Sequence, residues 1–146
     1  MVNHKTGRLI SETTRFLLVL LWVYAAISKI IDFKNFAFQM KLQAFGSHAA
    51  IYVAYFLPCL ELATAGLLFF KRTAPAGLYC SLLLLSVFTG YVALVVLHFF
   101  SSIPCTCGGI LQKMGWKPHL VFNIFYLAVT MTAIILNQKK EVAASR

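Results

Sequence analysis

Four long apolar runs divide the chain, with short polar segments between them. They cover about Thr13–Ile31, Ala49–Phe70, Ala74–Phe100 and His119–Leu136. A bilayer core about 30 Å thick needs roughly 20 residues of helix, so each run is long enough to cross a membrane. The pattern predicts an all-α membrane protein, a bundle of four transmembrane helices.

The segment between the first two runs, "DFKNFAFQMKLQAFGSH", has a different pattern. Asp32 suits a helix N-cap and Gly46 suits a helix stop, while Lys34 and Lys41 point to one polar face. Apolar residues recur there near a 3.6-residue period: Phe33, Phe36, Ala37, Met40, Ala44 and Phe45. We therefore expect an amphipathic helix lying in the membrane interface.

Composition narrows the class further. The chain has 146 residues, of which 60% are hydrophobic and 12% charged, and its mean hydropathy is +0.81. A soluble domain of this length could not bury so much apolar surface, so we predict a single membrane domain spanning residues 1–146. The net charge is +9, and the basic residues fall between the apolar runs. This placement favours the lipid bilayer rather than nucleic acid as the partner.

The basic residues also predict an orientation. With the N-terminus in the cytoplasm, eight lysines and arginines fall on the inner side and five on the outer side: Lys5, Arg8, Arg15, Lys71, Arg72, Lys139, Lys140 and Arg146 against Lys29, Lys34, Lys41, Lys113 and Lys117. This excess predicts that both termini are cytoplasmic. The loop before the fourth run then faces the oxidising side of the membrane.

That loop carries two cysteines separated by one residue, in "PCTCGG". A disulfide between Cys105 and Cys107 would close a ring too small to add much stability, whereas its strain would make it easy to reduce. Gly108 and Gly109 leave the backbone open to the approach of a partner. Thiol exchange or metal binding therefore explains the pair better than stability, and two incidental loop cysteines are the alternative.

Ionisable residues within the apolar runs form a second group of candidates. Glu61 falls near mid-bilayer, where a carboxylate must face the bundle interior and hold either a partner or a proton. Lys29, His98 and His119 lie near the outer ends of their runs, at the level of the cysteine loop, where a cation would favour a thiolate. Each also has a purely structural interpretation, as a packing contact or as a side chain reaching the interface.

Two patterns inside the runs complete the candidates. His119, Asn123, Tyr126 and Thr130 follow helical spacing, so we expect one polar face of the fourth helix to turn inward. Cys59 and Cys80 lie within the second and third runs, where cysteine usually acts as a small apolar filler. A pairing between these two thiols stays open at this stage.

Three stretches together resemble the MauE branch of the DoxX-like membrane proteins: "AAISKIIDFKNF", "PCLEL" and "CTCGG" with the following "GWKPHLVFNIFYL". The resemblance implies a four-helix protein of the bacterial inner membrane, linked to methylamine dehydrogenase maturation and acting with a thioredoxin-like partner. It implies that Cys105 and Cys107 are the redox pair and that Lys29 and Glu61 are matching motif positions. Many members carry an aromatic residue between the second cysteine and its glycine, which this chain lacks.

The leading functional prediction is a membrane thiol-disulfide oxidoreductase whose Cys105–Cys107 pair acts on an exported partner. The sequence commits to no cofactor, and a quinone stays open as electron acceptor. One alternative is a non-catalytic subunit that docks other membrane subunits. The other is a soft-metal protein in which His98 or His119 joins the two thiolates.

Overall fold

The computed structural model describes residues 4–42, 47–99 and 115–144, and α-helix is the only regular secondary structure within these ranges. The helices are α1 (His4–Ile31), α2 (Phe33–Lys41), α3 (Ser47–Phe69), α4 (Ala74–Val96) and α5 (Trp116–Ala144). Four of them contain stretches long and apolar enough to span a membrane: Leu9–Ile31, Ala49–Phe69, Ala74–Val96 and Trp116–Gln138. This confirms the predicted all-α protein with four candidate membrane spans.

The long helices pack in an antiparallel bundle. Neighbours along the chain pack together, and α5 also packs against α1. Ser11 Oγ donates a hydrogen bond to Asn137 Oδ1 at 3.0 Å, and Gln138 Nε2 donates to the Tyr79 hydroxyl at 2.9 Å. These contacts join the starts of α1 and α4 to the end of α5. We call the other end, where α1 and α4 end and α3 and α5 begin, the polar end.

The core between the helices is apolar, with one buried polar contact between α1 and α4. Its buried residues include Leu18, Leu68, Leu85 and Ala133. Trp22 is buried among them, and its Nε1 donates to Ser81 Oγ at 2.9 Å. The indole N–H is thereby satisfied in an environment that offers it no water.

The turn between α3 and α4 is tight, because Gly77 lies directly against the end of α3. A Cβ atom at Gly77 would lie 2.8 Å from the backbone nitrogen of Leu68, closer than real Cβ contacts allow. Thr73 Oγ1 donates to the Leu67 carbonyl at 2.8 Å and holds the turn from the other side. Glycine at position 77 therefore sets how closely these two spans approach.

α4 ends at Val96, four residues before the predicted end of the third run. His98 adopts a left-handed conformation with φ 55°. Its backbone N–H donates to the Val95 carbonyl at 3.1 Å, and the Phe99 N–H donates to the Leu94 carbonyl at 3.0 Å. This pair of bonds is the Schellman motif, which stops the helix and satisfies its last carbonyls.

The other boundaries also differ from the predictions. α1 begins at His4 and α5 at Trp116, both before the predicted starts of their runs, and α5 continues to Ala144. The extensions carry polar residues, and hydropathy alone assigns such residues to loops. A helix can nevertheless continue through them once its membrane-spanning segment has formed, because adding a residue to an existing helix is easier than starting a new one.

α2 is amphipathic as predicted, and its apolar face is packed against α3. Phe36 and Met40 are buried together with Ala50 and Ala54, whereas Lys34 and Lys41 are exposed. The Asp32 side chain makes no hydrogen bond to the helix backbone, and its Oδ2 instead accepts from Asn35 Nδ2 at 3.1 Å. The predicted stop at Gly46 lies outside the described residues.

Candidate functional site

The most buried charges described in the bundle form an ion pair between α1 and α3. Lys29 Nζ lies 2.8 Å from Glu61 Oε1 and 3.1 Å from Oε2. Glu61 is 1% exposed and Lys29 is 9% exposed. The sequence predicted that Glu61 would face the interior with a partner or a proton, and the structure gives it a partner.

The Lys29 ammonium is held by two acceptor groups. Besides its two contacts with Glu61, it donates to the carbonyl of Ala25, one turn earlier in α1, at 3.0 Å. The two Glu61 oxygens belong to one carboxylate and lie in nearly the same direction from Nζ, so they share one N–H of the ammonium. These contacts account for two N–H groups and fix Lys29 between α1 and α3.

The register of the helices explains why this pair is buried. Lys29 lies in the last turn of α1, whereas Glu61 lies in the middle of α3. α3 thus projects about three turns, or roughly 16 Å, beyond the end of α1. The projecting part is where Phe36 and Met40 pack against Ala50 and Ala54. α2 therefore folds back beside α3 and covers the level at which α1 stops.

Phe36 shields the ion pair on the side of α2. Its ring is 2% exposed and its centroid lies 5.9 Å from Lys29 Nζ. A cation over an aromatic face at this distance is attracted by the ring quadrupole, and the ring also excludes water. The amphipathic pattern predicted that Phe36 would be buried, but it carried no signal that Phe36 would meet Lys29.

α5 brings a histidine to the same level. His119 lies in the first turn of α5 and Lys29 in the last turn of α1, so both are at the polar end. His119 Nδ1 is buried and has no hydrogen-bond partner among the described residues. The predicted grouping of Lys29 and His119 at one end of the bundle is therefore present.

One turn further along α5, Asn123 is 5% exposed, and its Nδ2 also lacks a hydrogen-bond partner within the described part of the chain. Tyr126 is half-buried and Thr130 is buried, which confirms the inward-facing polar stripe. Thr130 Oγ1 is satisfied by the Tyr126 carbonyl at 2.7 Å. We call His119 and Asn123 the α5 polar pair.

The remaining predicted residues lie apart from this cluster. Cys105 and Cys107 lie outside the described residues. The His98 side chain is exposed after the end of α4, where its backbone forms the helix stop. Cys59 and Cys80 are free thiols, so the pairing left open for them is not present.

Metal ligands do not cluster in the part of the chain that the structure describes. No group of three His, Cys, Asp or Glu side chains is placed to hold a metal ion there. A soft-metal site built on His98 or His119 would need both loop cysteines. The described residues therefore provide no set of metal ligands for the soft-metal alternative.

Four apolar spans around a buried, hydrogen-bonded ion pair define a multi-pass helical membrane protein with a polar centre near one end of its bundle. The chain matches the family model of the methylamine utilisation protein MauE over residues 7–136, and it belongs to that family. Neither the comparison with curated proteins nor the comparison with solved structures found a match. The match includes the first three spans, both loop cysteines and all but the last two residues of the fourth span.

Proposed function

We propose that this membrane protein of the MauE family exchanges thiol and disulfide with an extracytoplasmic partner through Cys105 and Cys107. The observation that carries the proposal is the family match, which covers the segment containing both cysteines. In each exchange one thiolate attacks the partner's disulfide, and the second thiol then resolves the mixed disulfide. A dithiol and a disulfide change places, so the electrons balance without another reactant.

The arrangement of the polar end supports this proposal. The segment with the two cysteines joins the end of α4 to the start of α5, both of which lie at that end. Two described imidazoles flank this segment: His98 follows the end of α4, and His119 lies in the first turn of α5. Because Lys29 and Glu61 are buried and paired with each other across α1 and α3, we assign them the role of holding α1 against α3, and not direct thiolate binding.

The proposal requires the cysteine segment to face the oxidising side. The excess of basic residues on the opposite side supports both termini in the cytoplasm. A reporter enzyme that is active only outside the cytoplasm, fused after Arg146, should be inactive. The same reporter placed between Phe99 and Gly115 should be active. The reverse result would put the cysteines in a reducing compartment and contradict the proposal.

Trapping of a mixed disulfide tests the chemistry. Cys105→Ala and Cys107→Ala are expressed separately, and membranes are quenched with acid before non-reducing electrophoresis. One of the two variants should accumulate a reducible complex with an extracytoplasmic, thioredoxin-like protein, because its remaining thiol attacks but is not resolved.

Two controls make the result specific. Cys59→Ala should leave the complex unchanged, since this thiol lies on the exposed surface in the middle of α3. The double variant at positions 105 and 107 should show no complex. If neither single variant traps a partner and the double variant retains full function in cells, a non-catalytic membrane subunit becomes the better description.

A further inference from the structure

We propose that the α5 polar pair, His119 and Asn123, binds the carbonyl group of a neutral, membrane-soluble molecule of the quinone class. Both residues carry a buried polar atom without a partner among the described residues. They lie one turn apart on one face of α5, at the polar end where Lys29 lies in the last turn of α1. This inference does not depend on the cysteines and goes beyond thiol exchange.

The chemistry of Asn123 determines what the missing partner must be. Its Nδ2 can only donate hydrogen bonds, so the partner must be an acceptor. A buried donor left without an acceptor costs about 1–3 kcal/mol, and native structures rarely keep one without a reason. His119 Nδ1 provides a second donor one turn away when the imidazole is in the tautomer that carries its proton on Nδ1. A ligand with carbonyl oxygens matches a donor in this position.

The charge balance of the site argues against an anion. Glu61 compensates the charge of Lys29 and is in direct contact with it. An anion would therefore meet a pair that is already neutral overall, and it would lose its hydration on leaving water for an apolar bundle. A neutral acceptor avoids both penalties.

Aromatic side chains on the same helix favour a flat ligand. The rings of Phe122 and Tyr126 lie 4.8 Å apart between centroids, and Tyr126 continues the stripe that contains His119 and Asn123. Small-molecule sites are usually lined by apolar and aromatic side chains together with a few hydrogen-bonding groups. A conjugated dione can use both features, and its solubility in the bilayer brings it to a helix of this kind.

Binding of a decyl-substituted benzoquinone to the full-length protein in phosphatidylcholine nanodiscs tests the proposal. [15N]Asparagine labelling reports directly on the four asparagines of the chain. Addition of the quinone should shift the Asn123 side-chain resonance and saturate. Asn35 is the internal control, because its Nδ2 is already donated to Asp32, and its resonance should stay in place.

Substitutions separate binding from folding. Asn123→Leu should weaken binding roughly tenfold through loss of a hydrogen bond. The ligand-free variant should be at least as stable as the wild type, because the change removes a buried unpaired donor. His119→Phe should also weaken binding, whereas His119→Asn keeps a polar atom near the Nδ1 position and should restore it. Thr132→Val, on the exposed side of α5, should change nothing.

The proposal fails under any of three results. The first is the absence of saturable quinone binding by the wild type, which would mean that water, and not a quinone, binds the α5 polar pair. The second is unchanged affinity in Asn123→Leu. The third is a clear loss of ligand-free stability in Asn123→Leu, which would show that Asn123 serves the fold.

Discussion

Breaking the Lys29–Glu61 pair from one side should destabilise the protein far more than removing both charges together. At a separation of 2.8 Å the attraction between two unit charges is about 6 kcal/mol for an effective dielectric constant of 20. Burial of each ion costs several kcal/mol, so the net contribution of the intact pair is small. A single substitution removes the attraction and leaves the burial cost of the other ion.

We therefore expect Lys29→Met to lower the free energy of unfolding by about 3–5 kcal/mol. Glu61→Gln should cost less, because Lys29 lies two residues from the end of α1 and its long side chain can reach towards water, whereas Glu61 lies in mid-helix. The double variant should recover most of the loss, so the coupling energy should be nearly as large as the sum of the two single losses.

Unfolding of the purified protein by sodium dodecyl sulfate in mixed micelles, followed by the fluorescence of buried Trp22, measures these differences. Glu12→Gln is a matched control. Glu12 also pairs at 2.8 Å, with Arg15, but the Glu12 side chain is 42% exposed and the Arg15 side chain 21% exposed. Its loss should cost less than about 1 kcal/mol. Equal effects of Glu12→Gln and Lys29→Met, or a double variant as unstable as the sum of the single ones, would refute the reasoning.

Three other substitutions should act through packing and backbone geometry. Gly77→Ala should destabilise the protein by about 1–3 kcal/mol, since its methyl group would meet the backbone of α3, whereas Gly90→Ala meets nothing and should be neutral or stabilising in the same unfolding assay. Ser81→Ala should cost about 1–3 kcal/mol by leaving Trp22 Nε1 without its acceptor, and an unchanged unfolding midpoint would contradict this. His98→Gly should stabilise the protein by about 1 kcal/mol by relieving the left-handed conformation, and a loss of stability would instead assign a contact to the imidazole.

The helices were predictable because their signals are local. Apolar runs of about 20 residues identify the spans, and a 3.6-residue period identifies α2 and its buried Phe36. The end of α4 was not predictable in this way. The apolar run continues to Phe100, but the helix stops at Val96 because His98 takes a conformation usually left to glycine. Hydropathy does not detect a stop made by the backbone.

The site was predictable as a set of residues but not as a set of contacts. Two opposite charges inside apolar runs signal that each needs a partner, and such residues are rare in membrane spans. Their pairing depends on the register of α1 against α3, which places the last turn of one helix beside the middle of the other. Sequence distance from the membrane surface put Lys29 and Glu61 at different depths, and the structure joins them because α1 stops deeper than α3 begins.

This register also separates the roles of the charged and neutral residues at the polar end. A lysine near a cysteine loop suggests thiolate stabilisation, but the Lys29 ammonium is already paired with Glu61 and donates to the Ala25 carbonyl. Among the described residues, His119 and Asn123 each keep a buried polar atom without a hydrogen-bond partner. Substitutions of His119 and Asn123 on α5 should therefore change ligand binding, whereas substitutions of Lys29 and Glu61 should change stability. Measuring both properties in the same variants distinguishes the two roles, because a lysine that acted directly would alter binding at unchanged stability.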